Sequence, residues 1–157
     1  MKTRNILRGI KKSATIGVSL LSLAGCADRG DLLFDGEIEG QRVRYFDGGY
    51  FTFVGSSDIL EVYSKEDKEK LSKLFLDWDQ NGIVGDQKVD RYEVYDQDGR
   101  KIIYQSYRVI DRNGIEYGSE DEISKKALEV SKTRLEEATK EYQVFKQKIE
   151  ERVKQEL

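Results

Sequence analysis

The 157-residue sequence contains no histidine, no proline and a single cysteine. Without histidine, Ser-His-Asp and Cys-His catalysis, a histidine general base and zinc centres of the ordinary type are excluded. One cysteine excludes an intramolecular disulfide. Without proline, turns have to be read from glycine, aspartate and asparagine. A long apolar run is also lacking. The longest, Ser13–Leu23, is too short for a helix crossing a bilayer core of about 30 Å, which needs roughly 20 residues. There is no internal repeat, no low-complexity linker and no motif of any reaction class. Any catalysis would rest on carboxylates, lysine, tyrosine or serine.

What is present begins at the amino terminus. Lys2, Arg4, Arg8, Lys11 and Lys12 precede the uncharged run 13–23, and the small residues Ala24 and Gly25 follow. A basic start, an apolar middle and a small-residue end form the pattern of a secretory signal. Leu23-Ala24-Gly25-Cys26 resembles the lipobox of bacterial lipoproteins. That resemblance implies removal of residues 1–25, lipidation of Cys26 by palmitate-type chains, and a mature protein beginning at Cys26 and held on a membrane by its lipid. Each buried methylene contributes about 0.8 kcal/mol, and two or more chains give a stable anchor where one does not. Ala27, rather than aspartate, favours the outer over the inner membrane by the same resemblance, if the source is Gram-negative. Residues 26–31 form a very short tether.

Removing five basic and no acidic residues from a chain of 27 basic and 30 acidic leaves a mature part of net charge −8. That balance argues against nucleic-acid partners and against electrostatic docking on anionic lipid. The nine tyrosines, six phenylalanines and one tryptophan are too many for a disordered tether.

Residues 32–118 read as a β-rich domain. Short β-prone runs at 37–39, 42–46, 50–54 and 59–63 are separated by Glu39-Gly40-Gln41, Asp47-Gly48-Gly49 and Gly55-Ser56-Ser57-Asp58, all turn chemistry. Ile38, Val43 and Tyr45 are expected on one face, with Arg42 and Arg44 on the other. Ser64-Lys65-Glu66-Asp67 resembles a capping box. The spacing of Leu71, Leu74, Phe75 and Trp78 then predicts a short helix over 65–76. Further strands are expected at 89–95, 101–110 and 115–117, joined at Asp98-Gly99 and Asn113-Gly114. Ser119-Glu120-Asp121-Glu122 reads as a second capping box, opening a helix over 119–157. At ~1.5 Å per residue that helix reaches more than about 50 Å. Its rows Leu128, Leu135, Tyr142, Ile149 and Ser131, Ala138, Phe145, Arg152 repeat every seven residues. Two readings stay open: an amphipathic helix packed on the sheet, or a helix that associates with a protein partner or with itself. The predicted class is α+β: an antiparallel meander of about six or seven strands, one short helix and a long C-terminal helix.

One constellation carries chemistry. Within the Asp-rich loop 77–90, Asp77, Asp79 and Asn81 stand at the first, third and fifth places. Gly82 is sixth, Ile83 seventh with a backbone carbonyl to offer, and Val84 eighth. This resembles an EF-hand calcium loop, and calcium needs about six to eight oxygens. Lys88 stands where that family has a bidentate glutamate, so Asp86 or Asp90 would have to complete the set. Affinity would then be weak, about 10⁻⁴–10⁻³ M. The competing reading is a solvated loop built from Asx turns. Asp35, Glu37 and Glu39 are a weaker candidate, a carboxylate cluster for glycoside hydrolysis. Tyr50, Phe51, Phe53, Tyr104 and Tyr107 are another, a sugar-binding platform whose bland alternative is core and cross-strand pairs. The function expected is a lipid-anchored, exported, non-enzymatic binding or structural module with a weak calcium loop. The rivals are a small carboxylate-dependent hydrolase of cell-wall or glycan substrate, and a surface protein that self-assembles through the C-terminal helix.

Overall fold

The computed structural model describes residues 30–49, 57–118 and 120–156. The signal segment and Cys26, the expected strand 50–54 with its three aromatics, and the expected cap Ser119 lie outside the described residues. Eight strands form one sheet in sequence order, every neighbour antiparallel. They are β1 (Gly30–Ile38), β2 (Gln41–Gly49), β3 (Ser57–Tyr63), β4 (Leu71–Asp77), β5 (Arg91–Tyr95), β6 (Lys101–Tyr104), β7 (Val109–Ile110) and β8 (Glu116–Tyr117). One long helix, α1 (Glu122–Glu156), follows. The α+β meander is as the sequence predicts, with a slightly higher strand count.

The turns follow their chemistry. Glu39 and Gly40, joining β1 to β2, both take positive φ, +52° and +78°, as a two-residue hairpin requires. Asp96 and Asp111 each close a later hairpin by accepting N–H groups on their side chains, from Asp98 and Arg100 and from Asn113 and Ile115.

The segment predicted as a helix over 65–76 is instead a turn and strand β4. Ser64 Oγ does accept the N–H groups of Glu66 and Asp67. The Ser64 N–H, however, donates to the Lys70 carbonyl and closes the β3–β4 connection. β4 lies in mid-sheet and is covered on both faces. Phe75 packs on the helix side, and Leu74 and Leu76 on the other with Phe46 and Ile59. A strand apolar on both faces loses its alternation, so its residues also satisfy a helical stripe. The expected strand 101–110 is likewise two strands. A turn at 105–108, closed by the Gln105 N–H to the Arg108 carbonyl, divides β6 from β7.

α1 is capped by Asp121. Its Oδ1 accepts the N–H groups of Ile123 and Ser124, and Ser124 Oγ donates to its Oδ2. The helix crosses the whole sheet. Ser131 reaches the Gln105 carbonyl beside β6, Glu141 pairs with Lys73 on β4, Lys146 with Asp58 on β3, and Lys148 with Glu39 at the β1–β2 turn. Eight strands ~4.8 Å apart span roughly 34 Å, so a diagonal helix of this length covers both edges. Leu135, Ala138, Tyr142, Phe145, Ile149 and Val153 are buried against the sheet. The heptad rows are therefore largely spent on it, and the bland reading of that periodicity holds. Within this core, Tyr142, Phe75, Tyr92 and Tyr104 form a column with successive ring centroids 6.0, 5.0 and 6.0 Å apart. Tyr104 of the suggested sugar platform is thus a core ring. Tyr107 is exposed, with the Arg108 guanidinium over its face.

Candidate metal centre

Between Asp77 and Arg91 the chain folds back on itself, and its own carboxylates hold it. Asp77 Oδ2 accepts the Gly82 N–H at 2.8 Å. Gly82 has φ +89°, the sharp turn its place in the motif demands. Asn81 Oδ1 accepts the Ile83 N–H at 2.7 Å, and Asp79 Oδ1 the Asn81 N–H at 3.3 Å. Asp90 is the clasp. It accepts Trp78 N–H on Oδ1 (2.8 Å) and Gly85 and Gln87 N–H on Oδ2 (3.2 and 3.0 Å). The far side of the loop is fastened to α1. Thr139 Oγ1 accepts the Val84 N–H and donates to the Val84 carbonyl, and Gln143 Nε2 donates to the Gly82 carbonyl. The Val84 side chain is buried in the helix-side core.

The expected ligands are brought together as a chain of contacts. Asn81 Nδ2 donates to Asp79 Oδ2 at 2.9 Å and to Asp86 Oδ2 at 2.5 Å. Asp79 also stands against Asp77, and Asp86 against Asp90, each raising its neighbour's proton affinity. Ile83 lies in the same turn with its side chain exposed. Among the described residues no group of three acidic side chains has the arrangement of a metal site. The Asn81 amide stands between two of the carboxylates instead.

The sharpest electrostatic feature is Asp77. It is fully buried, and its Oδ1 has no hydrogen-bond partner. Directly across the β3–β4 pairing is Asp58, also buried. Asp58 Oδ2 accepts hydrogen bonds from Tyr45 Oη (2.6 Å), Tyr142 Oη (3.3 Å) and Lys146 Nζ (2.8 Å). Lys146 rests over both tyrosine rings. Two buried carboxylates thus face one ammonium, and like charges directly opposite across strands are unfavourable. Burial pushes the Asp77 carboxyl up to about 7, Asp58 and Asp79 adding to the rise while the Gly82 N–H and Lys146 oppose it. Burial, then Asp86, pushes Asp90 up to about 6 against three N–H donors. The Tyr45 and Tyr142 hydroxyls are raised by burial and by Asp58.

Sequence reasoning missed Asp58, Lys146, Thr139 and Gln143. The helical spacing carried a signal for Lys146, which falls beside the buried stripe; Asp58 closes the Gly55–Asp58 turn in the sequence and stands on β3 in the structure.

The other acidic candidates do not gather. Asp35 pairs with Arg42 and Arg44, Glu37 with Lys68, and Glu39 with Lys148. On the sheet face away from α1, Glu61 and Glu93 are both buried, with Leu74 between them in register. Glu61 meets Arg44 and Tyr63, while Glu93 meets Arg91, Lys101 and Tyr95. Both carboxylates are engaged by cations and hydroxyls.

Compared with family models, curated proteins and solved structures, the chain finds no match in any of the three. Among the described residues no helix is long and apolar enough to cross a membrane.

Proposed function

We propose that this chain is an exported, lipid-anchored protein of the cell envelope, a non-enzymatic binding or structural module whose β4–β5 loop takes a calcium ion. The anchor reading rests on Leu23-Ala24-Gly25-Cys26 behind a basic and apolar leader. The cation reading is carried by one observation, the buried Asp77 Oδ1 with no partner in a site one positive charge short. A calcium ion would supply that charge. Asp77, Asp79, Asn81, the Ile83 carbonyl and Asp86 would hold it, the Asn81 amide turning from donor to acceptor. Asp90 would keep the loop closed, since three N–H groups already engage its oxygens. Because the loop joins β4 to β5 and is fastened to α1 at Thr139 and Gln143, a bound ion would brace sheet against helix.

Calorimetric titration with calcium, repeated on Asp77→Ala and Asp79→Ala, tests the cation reading. Binding in the ~10⁻⁴–10⁻³ M range that both variants abolish is expected; absence of heat with the native chain refutes it. The anchor is tested by labelled palmitate in a bacterial host. Label should enter the native protein and be lost in Cys26→Ala, with release from the membrane fraction; equal membrane retention of the variant would count against it.

A further inference from the structure

Beside the loop lies a groove of about 640 Å³, between residues 83–86 and the N-terminal half of α1. Small-molecule sites span about 300–1,000 Å³. Its walls are held in place. Thr139 Oγ1 bonds both the N–H and the carbonyl of Val84. Gly85, at φ +103°, lies so close to Leu135 that a Cβ there would stand 2.8 Å from Leu135 Cδ1. Val84 and Leu135 are buried, and with Ile83 and Leu128 they give the groove an apolar lining.

Charge is uneven over that lining. Asp86 comes from the loop and Glu129 and Glu136 from the helix, against Lys125 and Lys132. Lys125 is paired with Glu122 at 3.3 Å. Asp86 accepts a hydrogen bond from the Asn81 amide, a neutral donor that leaves its charge in place. Glu129 and Glu136 have no ion-pair partner among the described residues. Lys132 follows the first by one helical turn and precedes the second by another, and its single charge can compensate only one of them. Three carboxylates against one unpaired ammonium leave −2 at the groove. An anion is repelled there, and a neutral occupant leaves the carboxylates uncompensated. A positive occupant with an apolar body complements both the charge and the lining. The net charge of −8 on the expected mature chain adds attraction at long range.

We infer that the groove binds a small organic cation with an apolar body, the body lying on Val84, Leu128 and Leu135 and the cationic head taken by Asp86, Glu129 and Glu136. The inference stands on the groove and its charges, independently of the calcium reading of the loop.

The test uses the full chain carrying Cys26→Ser, purified without detergent, at pH 8 in chelator. Three probes of one chain length and different charge are titrated by calorimetry: octyltrimethylammonium, octanol and octanoate. The cation is expected to bind roughly 2- to 30-fold tighter than octanol, as two exposed ion pairs allow, and octanoate to bind weakest. Glu129→Gln combined with Glu136→Gln, both at exposed helix positions, should remove most of that margin, and Lys132→Gln should widen it. Leu128→Ser should weaken the cation and octanol alike. Absence of heat with the cation, octanoate binding as tightly as the cation, a margin unchanged in the double glutamine variant, or cation binding untouched by Leu128→Ser overturns the inference. With chelator present throughout, each of these outcomes leaves the calcium reading where its own titration puts it.

Discussion

Replacing Asp77 by asparagine keeps an acceptor for the Gly82 N–H and removes a buried charge. The folded chain holds this carboxyl at about 7 against an ordinary 3.8. Below about pH 4 it is protonated in folded and unfolded chains alike. Between about 4 and 7 the folded chain keeps a proton that the unfolded chain has released, so native stability falls as pH rises through that window and levels off above it. Asp90 adds a fall of the same sign, ending near 6. At 1.36 kcal/mol per pH unit, the ionised Asp77 costs about 4 kcal/mol at pH 8. Asp77→Asn is therefore expected to be more stable than the native chain at pH 8 in chelator by that amount, the gap closing toward pH 4. Calcium should narrow that gap. At a concentration roughly 10 to 100 times its dissociation constant it stabilises the native chain by about 1.4 to 2.7 kcal/mol and the variant not at all. Urea denaturation followed by the fluorescence of Trp78, the sole tryptophan, across this pH range with chelator or calcium, reads both effects as differences between the two chains. A variant less stable than native at pH 8 in chelator would refute the charge argument, and an equal calcium gain in the variant would refute Asp77 as a ligand.

Other perturbations have defined outcomes. Lys146→Met leaves Asp58 and Asp77 without their ammonium and should cost about 3 to 5 kcal/mol in chemical denaturation, with much of the loss restored by adding Asp77→Asn. Phe75→Ala opens the centre of the ring column and should cost about 3 to 5 kcal/mol with no change in calcium heat. Thr139→Val removes both hydrogen bonds to Val84 and should cost about 1 to 3 kcal/mol, with hydrogen exchange at the Val84 amide rising more than at strand amides.

The meander was legible because its information is local. Gly40, Gly99 and Gly114 sit at positive φ where an acidic, amide or flexible neighbour predicts a hairpin. The loop was legible for the same reason, its acidic residues all falling between 77 and 90. β4 was not. Leu74, Phe75 and Leu76 are consecutive because they serve two cores, and consecutive apolar residues carry no period. The buried charge cluster was illegible in a different way. Asp58 and Lys146 lie 88 positions apart, and only the crossing of α1 over β3 brings them together. Asp121 caps α1 two residues after the expected Ser119, which lies outside the described residues, and aspartate and serine offer the same capping chemistry.

That charge pair is also expected to decide where α1 sits. The helix stripe of Leu135, Ala138, Tyr142, Phe145 and Ile149 repeats nearly every seven residues, so apolar packing alone distinguishes poorly between registers one heptad apart. The polar contacts do distinguish. A slide of seven residues would set Thr139 or Val153 against Asp58 in place of Lys146, and Lys132 or Lys146 against the Val84 backbone in place of Thr139. Buried ionic groups seldom add stability over apolar residues of similar size, but they can specify one arrangement among several. If they do so here, converting Asp58→Leu and Lys146→Leu in an Asp77→Asn background should leave the chain at least as stable in urea. It should also broaden or double the amide resonances of α1, as registers come to coexist. A single sharp set of resonances in that triple variant would mean that the ring column and the capped start of the helix already fix its place, and that the buried charges serve the loop alone.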